Sequence, residues 1–467
     1  MRCPACLIRN SVRVYGRRWF RLPGPLIIID RQIKLTSFIV SKNNHRLKKV
    51  FKNKKGRFVR FRRGQSAEKE MVLMLHIAPI PVTPFSSPPL RRHRCPPPMA
   101  ASASHQPKSA PVVLGCGAVG ADYLATVASF PNPDDKIRSL ALKVQGGGNA
   151  GNALTGAARL GLSPRIISKV SDDALGRNIL KELQDDGVDT SYMTVAEEGN
   201  SPFTYIIVDN QTKTRTCIHT PGYPPMTPEE LTKENLFAAL HGVDMVYFDV
   251  RLHETALLVA EEASQRKIPI LIDAEKKRDG LDELLNFASY VVCSAKFPQA
   301  WTGASSTPVG LVHMLLRLPN IKFVIVTRGE KGCLMLERSM TAQLADASET
   351  EETDVEDLLE SLEQKVDLNS SLPKCIASKS NLRISADGVG SMSGRLLLGT
   401  AESILSEELI DTTGAGDAFI GAVLYGLCTG MPVEKMLPFA AQVAACGCRA
   451  LGARAGLPHL TDPRLFV

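Results

Sequence analysis

The chain of 467 residues lacks any apolar run of 18 or more positions. Its nearest stretches, Leu26 to Ile29 and Met71 to Pro81, are too short or broken by proline, so no membrane-spanning helix is expected. Cysteine is present without a framework: eleven are scattered, with no secretory signal, which suits a reducing compartment. Cys3-x-x-Cys6 has no second pair at zinc spacing and Cys446/Cys448 have no histidine partners nearby, so neither a metal nor a redox role is expected of them. Acid is almost missing from the start of the chain, where residues 1–99 hold 23 Lys/Arg against Asp30, Glu68 and Glu70. The rest of the 56 basic and 48 acidic residues, 33 and 45, lie beyond. A basic leader on an acidic body argues against a nucleic-acid-binding core, which needs Lys/Arg clustered on the folded surface. Hydrophobic residues at 44% and a mean hydropathy of −0.03 exclude disorder throughout and collagen, and fit a soluble globular body.

Residues 1–98 carry basic pairs and then the proline-rich Pro79 to Pro98, with no hydrophobic periodicity to pack, so this leader is expected to be disordered. Three readings compete: an organelle transit peptide, a nucleic-acid or nuclear-targeting tail, and an upstream extension outside the working protein. The last is favoured, because Met99-Ala-Ala-Ser-Ala-Ser begins an ordinary polar N-terminus and the leader is weak in serine. A cytoplasmic protein is then expected, with a plastid or mitochondrion as the alternative.

From Pro111 apolar runs alternate with helical spacing, the grammar of an α/β fold with buried parallel strands. Val112 to Gly115, Arg165 to Lys169, Met245 to Asp249, Pro269 to Asp273, Tyr290 to Cys293 and Phe323 to Thr327 read as strands. Helices are expected over 150–160, 174–186, 253–266 and 308–318. Segments near 137–144 and 203–220 break the pattern and read as a small strand lid. Residues 338–392, with the acidic run Ser348 to Asp357, read as a mobile surface insertion.

Gly115-Cys-Gly-Ala-Val-Gly120 matches a dinucleotide fingerprint, but no second βα unit follows in register; the strand is better used to deliver Asp122 at its end. Gln145-Gly-Gly-Gly-Asn-Ala-Gly-Asn152 opens a helix. Its glycines admit a ligand to the backbone and its asparagines suit hydroxyl groups, while a glycine-rich turn with Asn capping the helix explains the same residues. The informative string is Asp411-Thr-Thr-Gly-Ala-Gly-Asp417-Ala-Phe-Ile-Gly-Ala422. Glycines 414 and 416 let backbone N–H groups converge on an anion at a helix start. Asp417, in the first turn, can accept the proton of an attacking hydroxyl.

These two motifs resemble those of the ribokinase-like, or PfkB, family of carbohydrate kinases. Residues 411–422 fit its C-terminal signature and Gly147 to Asn152 its N-terminal one; Asp273-Ala-Glu-Lys-Lys277 and Asp249-x-Arg251 resemble ketohexokinase. The resemblance spans about 111–462 and implies a three-layer ribokinase-like sandwich, with a mainly parallel central sheet and a β-strand lid. It implies transfer of the γ-phosphoryl group of ATP to a sugar hydroxyl, with a lean toward a ketose or pentose. Asp417 would be the base, with Gly414, Ala415 and Gly416 as its anion hole. Asp122, Gly147, Gly148, Asn149, Asn152 and Arg251 would meet the substrate, and Arg215 would stand near them. Thr327, Arg328, Gly329 and Gly332 would lie under ATP, with Gln442 flanking the adenine. Asp411 and Thr413 match positions holding a monovalent cation such as K+. Mg2+ is expected with the nucleotide, but Ser294-Ala-Lys-Phe297 lacks the glutamate that many members use to order it. A homodimer through the lid is also expected. A nucleoside kinase of the same fold, and a non-catalytic sugar- or nucleotide-binding regulator, remain alternatives.

Overall fold

A computed structural model describes residues 110–339, 352–367 and 369–465, together with seven short strands nearer the N-terminus. The chain divides into two units, 1–104 and 105–467. In the first, Ser11–Val14, Arg17–Phe20 and Ile27–Ile29 form an antiparallel sheet, and Phe51–Lys52 with Phe58–Val59 and Phe61–Arg63 with Leu73–Leu75 form two further pairs. The expectation of a disordered leader otherwise falls outside the described residues.

The second unit enters on β1 (Val112–Cys116) and leaves the main sheet at once for β2 (Gly120–Val127) and β3 (Ala141–Gly147). Helix α1 (Asn149–Arg159) returns the chain to β4 (Ser163–Ser171), and α2 (Ala174–Asp185), capped by the Asp173 carboxylate, leads to β5 (Asp189–Ala196). A hairpin, β6 (Phe203–Asp209) and β7 (Arg215–Thr220), precedes α3 (Lys233–Ala239). Then come β8 (Met245–Phe248), α4 (His253–Gln265), β9 (Ile270–Ala274), α5 (Leu281–Leu285), β10 (Tyr290–Ser294), α6 (Phe297–Thr302) and α7 (Thr307–Arg317). Strands β11 (Phe323–Thr327), β12 (Cys333–Arg338) and β13 (Glu352–Asp354) lead through α8 (Val355–Glu363) to β14 (Cys375–Ala377), β15 (Leu382–Ala386) and β16 (Gly390–Gly399). Helices α9 (Ala415–Thr429) and α10 (Val433–Cys448) follow.

The main sheet runs β5-β4-β1-β8-β9-β10-β11-β12-β16-β15-β13, with β14 on β16. It is parallel from β5 to β11 and mostly antiparallel beyond. Its period of two sorts the side chains into layers. Leu114, Val246, Phe248, Ile272 and Val291 pack with α4, α5 and α7 on one face. Val113, Tyr247, Leu271 and Val292 pack with α1, α9 and α10 on the other. That is a three-layer sandwich, in which strands apolar on both faces need no alternation with polar residues.

As expected, the fingerprint Gly115–Gly120 opens no nucleotide-binding βαβ unit; the chain passes directly into β2, which pairs antiparallel with β3. Two other expectations are corrected. The lid is a four-stranded sheet, β3-β2-β6-β7, so it includes Gly120–Val127, and its strand near 137–144 runs instead over Ala141–Gly147. Asp122 therefore sits early in a lid strand. Finally, residues 352–392 are no loose insertion. Val355 and Leu362 of α8 are fully buried, and β15 and β16 carry the sheet onward through Ile384, Leu396 and Leu398. The acidic residues near position 350 obscured an amphipathic helix whose apolar face is core. Residues 340–351 lie outside the described set.

Candidate active site

Parallel strands leave their loops at the carboxyl edge of the sheet, the side on which open α/β sheets bind ligands. Asp249 follows β8, Asp273 lies in β9, and Ser294 and Thr327 stand level at the ends of β10 and β11. Four of the sequence-predicted residues converge above this edge. Asp417 occupies the first turn of α9, behind Gly414 at φ 74°, a backbone state that glycine adopts without strain. Its Oδ2 accepts a hydrogen bond from Asn152 Nδ2 at 2.8 Å. Asn149, at the start of α1, bonds to Asp273. Asp122 arrives from the lid opposite Gln145, and a Cβ on Gly147 would stand 2.3 Å from its carboxylate. Glycine at 147 thus admits the acid against the backbone.

The pocket is rich in carboxylates, Asp122, Asp249 and Asp273 buried and Asp417 half-buried. Burial pushes Asp417 up to about 7, with Asp249, Asp122 and Glu275 adding to the rise and the Asn152 hydrogen bond opposing it. Burial likewise pushes Asp122 up to about 6, Arg454 opposing and Asp411 adding. Asp273 is raised by burial first and then by Asp417 and Asp249. A carboxyl poised near neutrality suits proton acceptance at physiological pH.

Asp249, which sequence motifs marked only as half of a pair with Arg251, is 2% exposed and has a bracing geometry. Its Oδ2 accepts from the backbone N–H groups of Ala118 at 2.8 Å and Ala150 at 3.1 Å, tying the end of β1 to the start of α1. Its Oδ1 accepts from the Arg251 N–H at 3.1 Å. The Arg251 side chain donates to Glu275 at 2.7 Å, so it stands beside the carboxylate group in an ion pair. Arg215 reaches from lid strand β7 to Thr412 Oγ1 at 2.7 Å, latching the lid to the turn before Gly414.

Asp411 is buried at 2%. Its Oδ1 accepts from Thr413 N at 2.9 Å and Thr413 Oγ1 at 2.7 Å, and its Oδ2 from Gly452 N at 2.8 Å. All three donors are neutral, and the Asp411 carboxyl and Thr413 hydroxyl are hard oxygen ligands of the kind that suit a monovalent cation, with the Lys143 ammonium also within electrostatic reach of Asp411. Among the described residues no three His, Cys, Asp or Glu gather to hold a metal, and Ser294 Oγ instead donates to the Glu275 carbonyl at 2.7 Å.

Thr327 Oγ1 donates to the Cys293 carbonyl at 3.3 Å, and Gly329–Lys331 form a short 3-10 turn that Gly332 closes at φ 75°. Arg328 turns away to Glu363 of α8 at 3.2 Å. Gln442 is buried on α10 at 9% exposure. Sequence motifs missed Arg454, which is buried at 4% and bonds to Asn152 and Gly147. It sits 302 positions from Asn152, so no local spacing signals the contact.

The family described as pfkB family carbohydrate kinase matches residues 113–355 and 399–460. Among curated proteins, the chain is 20% identical to ribokinase of Mus musculus over 364 residues, covering 76% of this chain and 95% of that one. It is 22% identical to ketohexokinase of Mus musculus over 348 residues, covering 73% and 97%. Among solved structures, a putative ribokinase from Agrobacterium tumefaciens superposes with a TM-score of 0.55 at 25% identity, covering 75% of this chain and 95% of that one. The three-layer sandwich with its β-strand lid is thus the ribokinase-like fold.

Proposed function

The chain belongs to the pfkB family of carbohydrate kinases and is an ATP-dependent sugar kinase; from that premise we propose that Asp417 is the base that activates a sugar hydroxyl. The observation that carries this reading is the Asp417 carboxylate, raised to about 7 at the first turn of α9 and held on one oxygen by Asn152. Its other oxygen receives the hydroxyl proton as that hydroxyl attacks the γ-phosphorus of ATP. The P–O bond to ADP breaks, and the products are the sugar phosphate and ADP. The opening N–H groups of α9, near Gly414, Ala415 and Gly416, neutralise the transferring phosphoryl oxygens, since helix starts carry unpaired donors. Asp122, Asn149 and the backbone of Gly147 and Gly148 orient the sugar hydroxyls, and Arg251 positions the acids through Glu275. The loop Thr327 to Gly332 lies under the nucleotide, with Gln442 beside the adenine.

A monovalent cation beside Asp411 and Thr413 would add positive charge behind the anion hole. Among the described residues no cluster of acids cages Mg2+, so it would enter with the nucleotide phosphates. A ketose or pentose is the substrate class supported by the likeness to ketohexokinase and ribokinase. The lid supports a homodimer, because Leu142, Val144, Tyr205 and Ile218 are each at least half exposed on it; a single monomer boundary in sedimentation velocity would remove that reading. Cytoplasmic residence is supported by the eight free cysteines among the described residues, and no helix among those residues is long and apolar enough to cross a membrane. The role of Asp417 is tested by Asp417→Asn, which is expected to lose most turnover and keep sugar binding measurable by calorimetry. Unchanged turnover would remove it as the base.

A further inference from the structure

A buried arginine outside both motifs is bonded directly to the proposed site. Arg454 Nε donates to Asn152 Oδ1 at 2.9 Å, and Nη2 donates to the Gly147 carbonyl at 2.8 Å. Two glycines stand where the guanidinium passes. A Cβ on Gly146 would lie 2.2 Å from Nη1, and one on Gly151 would lie 2.4 Å from Nη2. The glycine-rich stretch is therefore shaped around this side chain. Nη1 is buried without a hydrogen-bond partner; the charges facing the guanidinium are Glu182, Asp186 and Asp122, with Arg159 opposing.

A guanidinium has only donors to offer, so Asn152 must turn its amide oxygen toward Arg454 and its NH2 toward Asp417. The reverse orientation would set donor against donor at Arg454 and oxygen against carboxylate at Asp417. Resting on the reading of Asp417 as base, we propose that Arg454 is a positioning residue for phosphoryl transfer: it locks the Asn152 amide so that one oxygen of Asp417 is held and the other is free to take the hydroxyl proton. The groups facing Asp417 are Asn152 from α1, Asp249 after β8, Tyr247 in β8, Asp273 and Glu275 at β9, and Asp122 from the lid. The titratable members are acids and one phenol. Among the described residues Asn152 is the side chain that donates to Asp417, so its orientation decides how readily that carboxylate stays ionised.

The test is a double-mutant cycle on the full chain, using ATP and whichever sugar it phosphorylates. Arg454→Met is expected to lower kcat about tenfold or more, within the usual contribution of a positioned base, and to leave the KM for ATP unchanged. The acidic limb of kcat against pH is expected to rise by about one unit, as a carboxylate losing a hydrogen bond would. In an Asn152→Ala background the same substitution is expected to change kcat by less than about twofold, because residues acting through one another are not additive. Arg454→Lys, which keeps a cation without the fork that spans Asn152 and Gly147, is expected to fall the same way; it carries the cycle should the Met variant melt below the assay temperature. Equal losses in both backgrounds, or an unmoved acidic limb, would overturn the role of Arg454 while leaving the kinase intact. No ATP-dependent turnover by the unsubstituted chain would instead remove the reading of Asp417.

Discussion

Asp417→Asn is expected to make the protein more stable at pH 8 even as it removes turnover. The carboxyl rises from the usual value of 3.8 to about 7 in the fold, chiefly through burial. A carboxyl with a folded pKa above its unfolded one binds more protons folded than unfolded between the two values. Stability therefore falls as pH rises from about 4 to about 7 and is level beyond. Three units at about 1.4 kcal/mol each set a ceiling of about 4 kcal/mol. Asp417 is only half-buried, so water screens much of this, and a gain of about 1–2 kcal/mol is expected. Asparagine keeps the shape and can still accept from Asn152, so no cavity or orphaned donor offsets the gain. For a domain of this size that is about 2–4 °C in Tm. Scanning calorimetry of both proteins from pH 4 to pH 8 is expected to show them melting together at pH 4 and separating through pH 7. An Asn variant that melts below the unsubstituted protein at pH 8, or a gain independent of pH, would refute the reasoning.

Gly414→Ala forces a side chain onto a residue at φ 74° with its Cβ 2.4 Å from the Ala453 Cβ. The expected loss is about 2 kcal/mol or more, read by chemical denaturation, with kcat reduced because the start of α9 is displaced. Arg215→Ala breaks the latch to Thr412 at an exposed position. Tm is expected to stay constant while the KM for sugar rises; an unchanged KM would detach the lid from substrate retention. A chain beginning at Met99 is expected to keep the melting temperature and turnover of the full chain. On ion exchange it is expected to behave as an acidic protein, and loss of activity would show that residues 1–98 take part.

Six of the seven parallel strands were legible because they are short apolar runs between turn residues, and Met245–Phe248 is buried at every position; edge strand β5, exposed or only partly buried along its length, was not read. Strand β12 was not read because it runs in sequence directly into the segment from 338 onward, whose composition suggested a loop. Strand β2 was hidden by its glycine-rich start. In the site, Asp417, Asn149, Asn152 and Asp122 stood out because glycines beside acids and amides are locally unusual. Arg454 did not, since its role comes from residues 302 positions away. Asp249 was visible as a residue but its bracing of two backbone N–H groups needs the folded register of β1 and α1.

The most direct measurement is ADP release, coupled to an optical readout, from the purified chain given ATP and a panel of ketoses, pentoses and nucleosides, with Asp417→Asn run beside it. One or more sugars are expected to drive ADP formation that requires the sugar, and the Asn variant is expected to lose that turnover while still binding the same sugar. ADP formation driven by nucleosides alone would replace the sugar with a nucleoside substrate, and sugar-dependent turnover undiminished in the Asn variant would contradict Asp417 as the base.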